Sequence, residues 1–211
     1  MGTNAGGQER DEALAALVNF FDACKVGCEG CEGYRKSTDL GKLLESVREL
    51  ERQGLIHRDG TVFIDLGCAD GRVNLLISPF VKWSLGVEID PIIVGEYEPR
   101  RRELEERLGK ANLPVPADNV HLLLGDSLEE ATYEQFAAAC GVRFEDVDLF
   151  YTYITLHDLF AEHITARAKE GALYLVYGFS RVLPRYDGLE LVMPDVASQG
   201  IMALYRKKGK P

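Results

Sequence analysis

The stretch Thr61-Val-Phe-Ile-Asp-Leu-Gly-Cys-Ala-Asp-Gly-Arg72 constrains the fold of this chain more than any other. Apolar and β-branched residues run into Asp65. Gly67 and Gly71 then bracket a short turn, and Val73, Leu75, Leu76 and Ile77 follow with helical spacing. Strand, glycine turn and helix in that order open a parallel βαβ unit. Gly67 and Gly71 lack Cβ, which suits a turn of positive φ or a ligand lying against the backbone. Asp65 falls at the carboxyl end of the strand, the edge where open α/β sheets bind ligands. The glycines are spaced Gly-x-x-x-Gly, not Gly-x-Gly-x-x-Gly, which argues against a nicotinamide-dinucleotide site.

The remaining chain alternates strands and helices. Strands are expected at 83–90, 119–126, 147–154, 171–180, 189–193 and 201–206. The crossover helices expected between them are one capped by Asp90 with Pro91 in its first turn and kinked or restarted at Pro99, a second at 128–140, and a third capped by Thr155. Too few residues separate Ser180 from Leu189 for another crossover helix, so the last two strands form a hairpin-like edge. Ahead of the glycine turn, Leu14, Leu17, Val18, Phe21 and Cys24 share one helical face from Asp11 onward. Leu40, Leu43, Leu44, Val47 and Leu50 share another, with Thr38 as N-cap. The expected organisation is a disordered tail at 1–9, a helical lid at 10–56 and an α/β domain at 57–211. That domain is a three-layer sandwich on a mostly parallel seven-strand sheet.

The segment Asp65-Leu-Gly67-Cys-Ala69-Asp-Gly71 resembles the acid-x-Gly-x-Gly-x-Gly motif of the seven-strand, Rossmann-like S-adenosylmethionine-dependent methyltransferases, with Ala69 in place of the middle glycine. The resemblance implies S-adenosylmethionine as cofactor, held by Asp65, Gly67, Cys68 and Gly71. It implies that Glu88, ending the next strand, accepts hydrogen bonds from the ribose hydroxyls and that Ile89 flanks the adenine. A charge-assisted bond of that kind is worth roughly 1.5–3 kcal/mol when water is excluded. Asp126 and Ser127, after the third strand, stand where the family reads the adenine amine; Asp126 also suits a helix N-cap. The segment Tyr34-Arg-Lys-Ser37 resembles the cofactor-covering loop of lysine methyltransferases that lack a SET domain, which would bring Tyr34 and Ser37 to the methionine end.

In the same family the end of the fourth strand lies beside the transferred methyl. Here it carries Tyr151, Thr152 and Tyr153 where base-amine methylating enzymes carry an Asn/Asp-Pro-Pro-aromatic motif. Tyr151, Tyr153 and His157 are therefore the candidate catalytic positions, with tyrosine rings suited to an amine. The expected methyl acceptor is a protein lysine or a small molecule with a nitrogen or oxygen nucleophile, the alternative being a cofactor-binding module without catalysis. The net charge of −10 repels phosphate backbones, and Arg100, Arg101 and Arg102 sit among glutamates as a solvated helix face, so a nucleic-acid partner is not expected. No apolar run reaches the ~18 residues of a membrane span, and residues 1–10 read as neither secretory signal nor myristoylation site. A cytoplasmic protein is expected.

Cys24, Cys28 and Cys31 have the Cys-x3-Cys-x2-Cys spacing of the radical S-adenosylmethionine enzymes, although Gly30 stands where those carry an aromatic residue. Three readings stay open: metal-free thiols, which we favour, zinc with His57 as fourth ligand, or an iron–sulfur cluster. No other metal-ligand spacing is present among the histidines.

Overall fold

The computed structural model describes residues 5–30, 33–35, 37–179 and 182–209, with side chains from 6 onward except at 28–30 and 33–35. Helix α1 (Ala5–Asp22) leads into an antiparallel hairpin of β1 (Val26–Gly30) and β2 (Gly33–Arg35), then α2 (Leu40–Arg52). The β–α alternation follows: β3 (Val62–Leu66), α3 (Arg72–Ile77), β4 (Trp83–Glu88), α4 (Pro91–Val94), α5 (Tyr97–Lys110), β5 (Val120–Leu124), α6 (Glu130–Cys140), β6 (Leu149–Tyr153), α7 (His157–Arg167) and β7 (Leu173–Tyr177). Strands β8 (Leu189–Met193) and β9 (Met202–Lys207) close the chain.

The seven-strand sheet has the order β5-β4-β3-β6-β7-β9-β8, and β9 alone runs against its neighbours. Strand β3 lies at its heart and is buried along its whole length, as a parallel strand covered on both faces must be. Alternate residues serve opposite layers. Phe63, Leu149 and Leu175 pack into a core shared with α1, α2, α3 and α5, while Ile64, Phe150 and Val176 pack toward α6 and α7. The expected three-layer sandwich on a mostly parallel sheet is the observed architecture.

Several local expectations differ from the structure. Helix α1 starts at Ala5, earlier than Asp11, so residues 5–9 are helical rather than a disordered tail. Arg10 anchors this first part, with its guanidinium 4.0 Å from the Phe80 ring centroid and a salt bridge to Glu51 at 3.2 Å. The N-cap of α2 is Asp39, whose carboxylate accepts the Lys42 N–H at 3.0 Å; Thr38 turns its hydroxyl elsewhere. The helical segment after β4 breaks at Gly95–Glu96, between α4 and α5, and not at Pro99. Pro99 sits in the first turn of α5, where a missing N–H leaves no bond unmade. Helix α7 is preceded by Leu156 as N-cap at φ +57°, not by Thr155. Among the described residues no helix is long and apolar enough to cross a membrane.

Candidate functional site

Strands β3, β4 and β6 end at one place, and their last residues Leu66, Glu88 and Tyr153 border a single cavity of about 270 Å³. The turn after β3 forms its floor. The Gly67 and Cys68 N–H groups both donate to the Val87 carbonyl at 2.9 Å, which ties the turn to β4. At Gly67 φ is +93°, and a Cβ there would meet no atom within 4 Å, since it would project into open space. At Gly71 φ is +74°, but a Cβ would lie 2.6 Å from both Leu122 and Tyr97. Gly67 thus leaves room in the cavity, whereas Gly71 leaves room for packing. Ala69, in the middle-glycine position, has φ +50°, a left-handed conformation that costs a non-glycine residue roughly 1–2 kcal/mol.

Three acids occupy this turn and its neighbour, and each is satisfied differently. Asp70 is fully buried and accepts from Arg72 through Nε at 2.8 Å and Nη2 at 2.9 Å, with Arg100 at 3.4 Å. Glu88 is buried as well; its two oxygens accept the N–H groups of Ala69 at 3.0 Å and Asp90 at 2.9 Å. The Glu88 carboxylate is thereby fixed in orientation, with lone pairs left over for a ligand. Asp65 is 2% exposed, and its Oδ1 is sealed from solvent with no hydrogen-bond donor among the described residues. Burial, then the charges of Glu88 and Asp70, push its carboxyl well above the usual range.

The opposite wall comes from the segment before α2 and from β6. Ser37, Thr38 and Asp39 are bonded in succession to three different elements. The Ser37 hydroxyl accepts from Arg72 Nη1 at 3.3 Å, Thr38 Oγ1 and the Tyr151 hydroxyl are 2.6 Å apart, and the Asp39 N–H donates to the Tyr177 hydroxyl at 3.1 Å. Tyr151 is buried, and desolvation followed by the Asp65 charge pushes its phenol well up. Tyr153 lines the cavity and packs on Tyr177 with ring centroids 5.3 Å apart. Thr155, Leu156 and Phe160 complete that side.

No protein-family profile and no curated protein sequence matches the chain. Solved structures do. An RNA methyltransferase from Salinibacter ruber in complex with S-adenosyl-L-homocysteine is 17% identical over 84% of this chain and 96% of that one, with a TM-score of 0.51. An S-adenosylmethionine-dependent methyltransferase from Clostridium acetobutylicum is 11% identical over 82% and 94%, also at 0.51. Cofactor-bound Rv0187 from MTB is 15% identical over 95% and 91%, at 0.54. The chain has a Rossmann-like methyltransferase fold.

Of the residues singled out in the sequence, Ser37, Asp65, Gly67, Cys68, Glu88, Ile89, Tyr151 and Tyr153 border the cavity. Gly71 does not; it is the left-handed N-cap of α3. Asp126 and Ser127 lie on the same sheet edge, since the Gly125 N–H donates to the Glu88 carbonyl at 2.9 Å, but neither borders the cavity. The Asp126 carboxylate instead accepts the Leu128 N–H at 2.9 Å ahead of α6, and the Ser127 carbonyl accepts from the Tyr133 hydroxyl. His157 is also turned away. Its Nδ1 lies 2.7 Å from the Tyr186 hydroxyl and 3.0 Å from Asp158, and its ring meets Phe179 edge to face. Tyr34 belongs to β2, and its side chain lies outside the described residues.

Sequence reasoning missed Thr38, Arg72, Leu156 and Phe160 as cavity residues. Arg72 carried a legible signal, an arginine two residues after an acid within an otherwise apolar stretch. Of the cysteine cluster, Cys31 and the Cys28 side chain lie outside the described residues. The Cys24 thiol donates to the Phe20 carbonyl at 3.3 Å, and no group of His, Cys, Asp or Glu among the described residues is arranged to hold a metal ion.

Proposed function

We propose that this protein is an S-adenosylmethionine-dependent methyltransferase. One observation carries the reading: in a methyltransferase-like sheet, the cavity at the carboxyl ends of β3, β4 and β6 is bordered by a buried carboxylate, Asp65, whose Oδ1 has no hydrogen-bond donor among the described residues. A buried, unpartnered acid calls for a cationic or donating group from a ligand. The amino-acid tail of S-adenosylmethionine carries such an ammonium, and the space left at Gly67 admits a chain lying against the turn.

In this reading Asp65 faces the ammonium, Glu88 accepts from the ribose hydroxyls, and Ile89, 66% exposed at the rim, flanks the adenine. When bound, the cofactor supplies a methyl group made electrophilic by its sulfonium. The chain's own task is to exclude water and hold the acceptor in line with that methyl. Tyr151 and Tyr153 both border the cavity and are assigned here to the acceptor side. The N-terminal region 10–56 is the lid in this reading, and its Val26, Ser37 and Thr38 stand on the cavity wall.

Among the described residues bordering the acceptor side there is no histidine and no carboxylate, which suits a nucleophile that sheds its proton before entry, such as an amine. A protein lysine is the leading acceptor and a small-molecule nitrogen or oxygen nucleophile the second. The acidic net charge of −10 supports both over a nucleic acid.

The test is calorimetry with S-adenosylhomocysteine followed by transfer of labelled methyl groups to acceptors in cell extract. Binding, and label on a protein or small-molecule fraction, are expected from the parent protein. Gly67→Val, which adds a branched side chain at φ +93° facing the cavity, should abolish both. Absence of any S-adenosylhomocysteine binding by the folded parent would overturn the reading.

A further inference from the structure

We propose that ligand binding in this cavity is an exchange: Asp65 holds a proton in the free protein, and a cationic ligand displaces that proton to solvent. This assignment rests on the methyltransferase reading for the chemistry of the ligand's tail. The exchange itself follows from how charge is distributed around the turn.

Among the described residues, the charged groups around Asp65 each have hydrogen-bond or ion-pair partners of their own, and none of them donates to the sealed Asp65 oxygen. From the turn, Asp70 is matched by Arg72 and by Arg100 of α5, and Arg100 in turn bonds Glu96 at 2.6 Å. Those two acids and two guanidiniums form a neutral cluster, so no positive charge is left over for a neighbour. The other Arg72 hydrogens go to the Phe21 and Cys24 carbonyls and the Ser37 hydroxyl. From β4, the Glu88 carboxylate accepts two backbone N–H groups, of Ala69 and Asp90. From β6, the Tyr151 hydroxyl is paired with Thr38 Oγ1, either of which can donate, and Cys68, on the turn, is a buried thiol. Asp65 is left with neighbouring negative charge, no donor on its sealed oxygen and no cation. A carboxylate so placed keeps its proton until a positive group arrives.

The step balances simply. The Asp65 O–H bond breaks, its proton passes to buffer, and the carboxylate pairs with the ligand's ammonium, whose own proton count does not change. Two consequences follow by linkage. About one proton is released for each ligand bound, and affinity rises by about tenfold per pH unit until the free-protein carboxyl ionises on its own. Ligands without the ammonium release none.

The experiment is calorimetry in two buffers of different ionisation heat, at several pH values, with two probes. S-adenosylhomocysteine carries the ammonium but no sulfonium charge; 5′-methylthioadenosine lacks the whole amino-acid tail. Buffer-dependent heats amounting to about one released proton are expected with S-adenosylhomocysteine, and none with 5′-methylthioadenosine. Asp65→Asn, its fold checked by circular dichroism and thermal unfolding, should lose both the proton release and the pH dependence with S-adenosylhomocysteine. Binding of S-adenosylhomocysteine with buffer-independent heats overturns the exchange and leaves the methyltransferase reading standing. Proton release that persists in Asp65→Asn overturns the assignment to Asp65. Failure of the parent to bind either probe overturns the methyltransferase reading itself, and the exchange with it.

Discussion

Asp65 and Asp70 flank the same glycine turn and are both shut away from solvent, yet they do opposite things. Asp70 receives two hydrogen bonds from one guanidinium and an ion pair from a second; Asp65 receives nothing on its sealed oxygen. Position in a motif therefore does not settle an acid's role. The donors around it do: the satisfied acid fastens α3 to α1 and α5, and the unsatisfied one stays available to a ligand.

Removing each acid should separate those roles with effects of opposite sign. Asp70→Ala leaves Arg72, 5% exposed, as a buried unpaired charge, and should cost about 3–5 kcal/mol, read as a large fall in the denaturant midpoint. Asp65→Asn should instead raise the stability of the ligand-free protein progressively as pH climbs above the unfolded-state carboxyl value of ~4. The sign follows from linkage. A carboxyl raised in the folded state adds stability below the unfolded-state value of ~4, and that contribution is lost as pH climbs through the folded value. Parent and variant should converge in acid and part in favour of the variant as pH rises. A variant less stable than the parent at high pH would mean that Asp65 is satisfied after all.

The two glycines sharpen the same contrast. Gly71→Ala places a Cβ 2.6 Å from Leu122 and Tyr97 at φ +74° and should destabilise the fold by roughly 2–4 kcal/mol, measured by thermal or denaturant unfolding. Gly67 has no such neighbour, so its substitution acts on binding first. Next in size is Glu88→Ala, expected to weaken S-adenosylhomocysteine by about 2 kcal/mol in calorimetry. Because the Ala69 and Asp90 N–H groups lose their acceptor too, part of that loss is disorder of the turn.

What the sequence made legible is the half of the site built from periodic structure. Asp65, Gly67 and Glu88 were readable because strand ends and a glycine turn are local patterns, and they do border one cavity. Residues whose role depends on long-range partners were not. Asp126 was read as an adenine position and, compatibly, as a helix cap, and one of its oxygens accepts the Leu128 N–H two residues on. His157 sits in the expected first turn of α7, and only the fold shows that Tyr186 holds it away from the cavity. The hairpin β1–β2 was hidden because its short, glycine- and cysteine-rich strands carry no alternation of apolar residues. Thr38 was mistaken for a cap because both it and Asp39 are good N-cap residues, and the choice was made by a tyrosine far along the chain.

That tyrosine bond gives the smallest expected effect and the finest test of how the lid is held. Thr38 Oγ1 and the Tyr151 hydroxyl satisfy each other at 2.6 Å, both in buried residues, and they join the lid to β6 beside the unsatisfied Asp65. Thr38→Val keeps the side-chain volume but strands the Tyr151 hydroxyl, which should cost about 1 kcal/mol. Tyr151→Phe should cost a similar or smaller amount, because Thr38 is slightly closer to solvent than Tyr151. Combining the two removes both hydroxyls, and the double variant should recover most of the loss, since no buried polar atom is left without a partner. Strictly additive losses in denaturant unfolding would show that the pair contributes nothing as a pair, and that this segment is held by its other bonds, those of Ser37 and Asp39 among them.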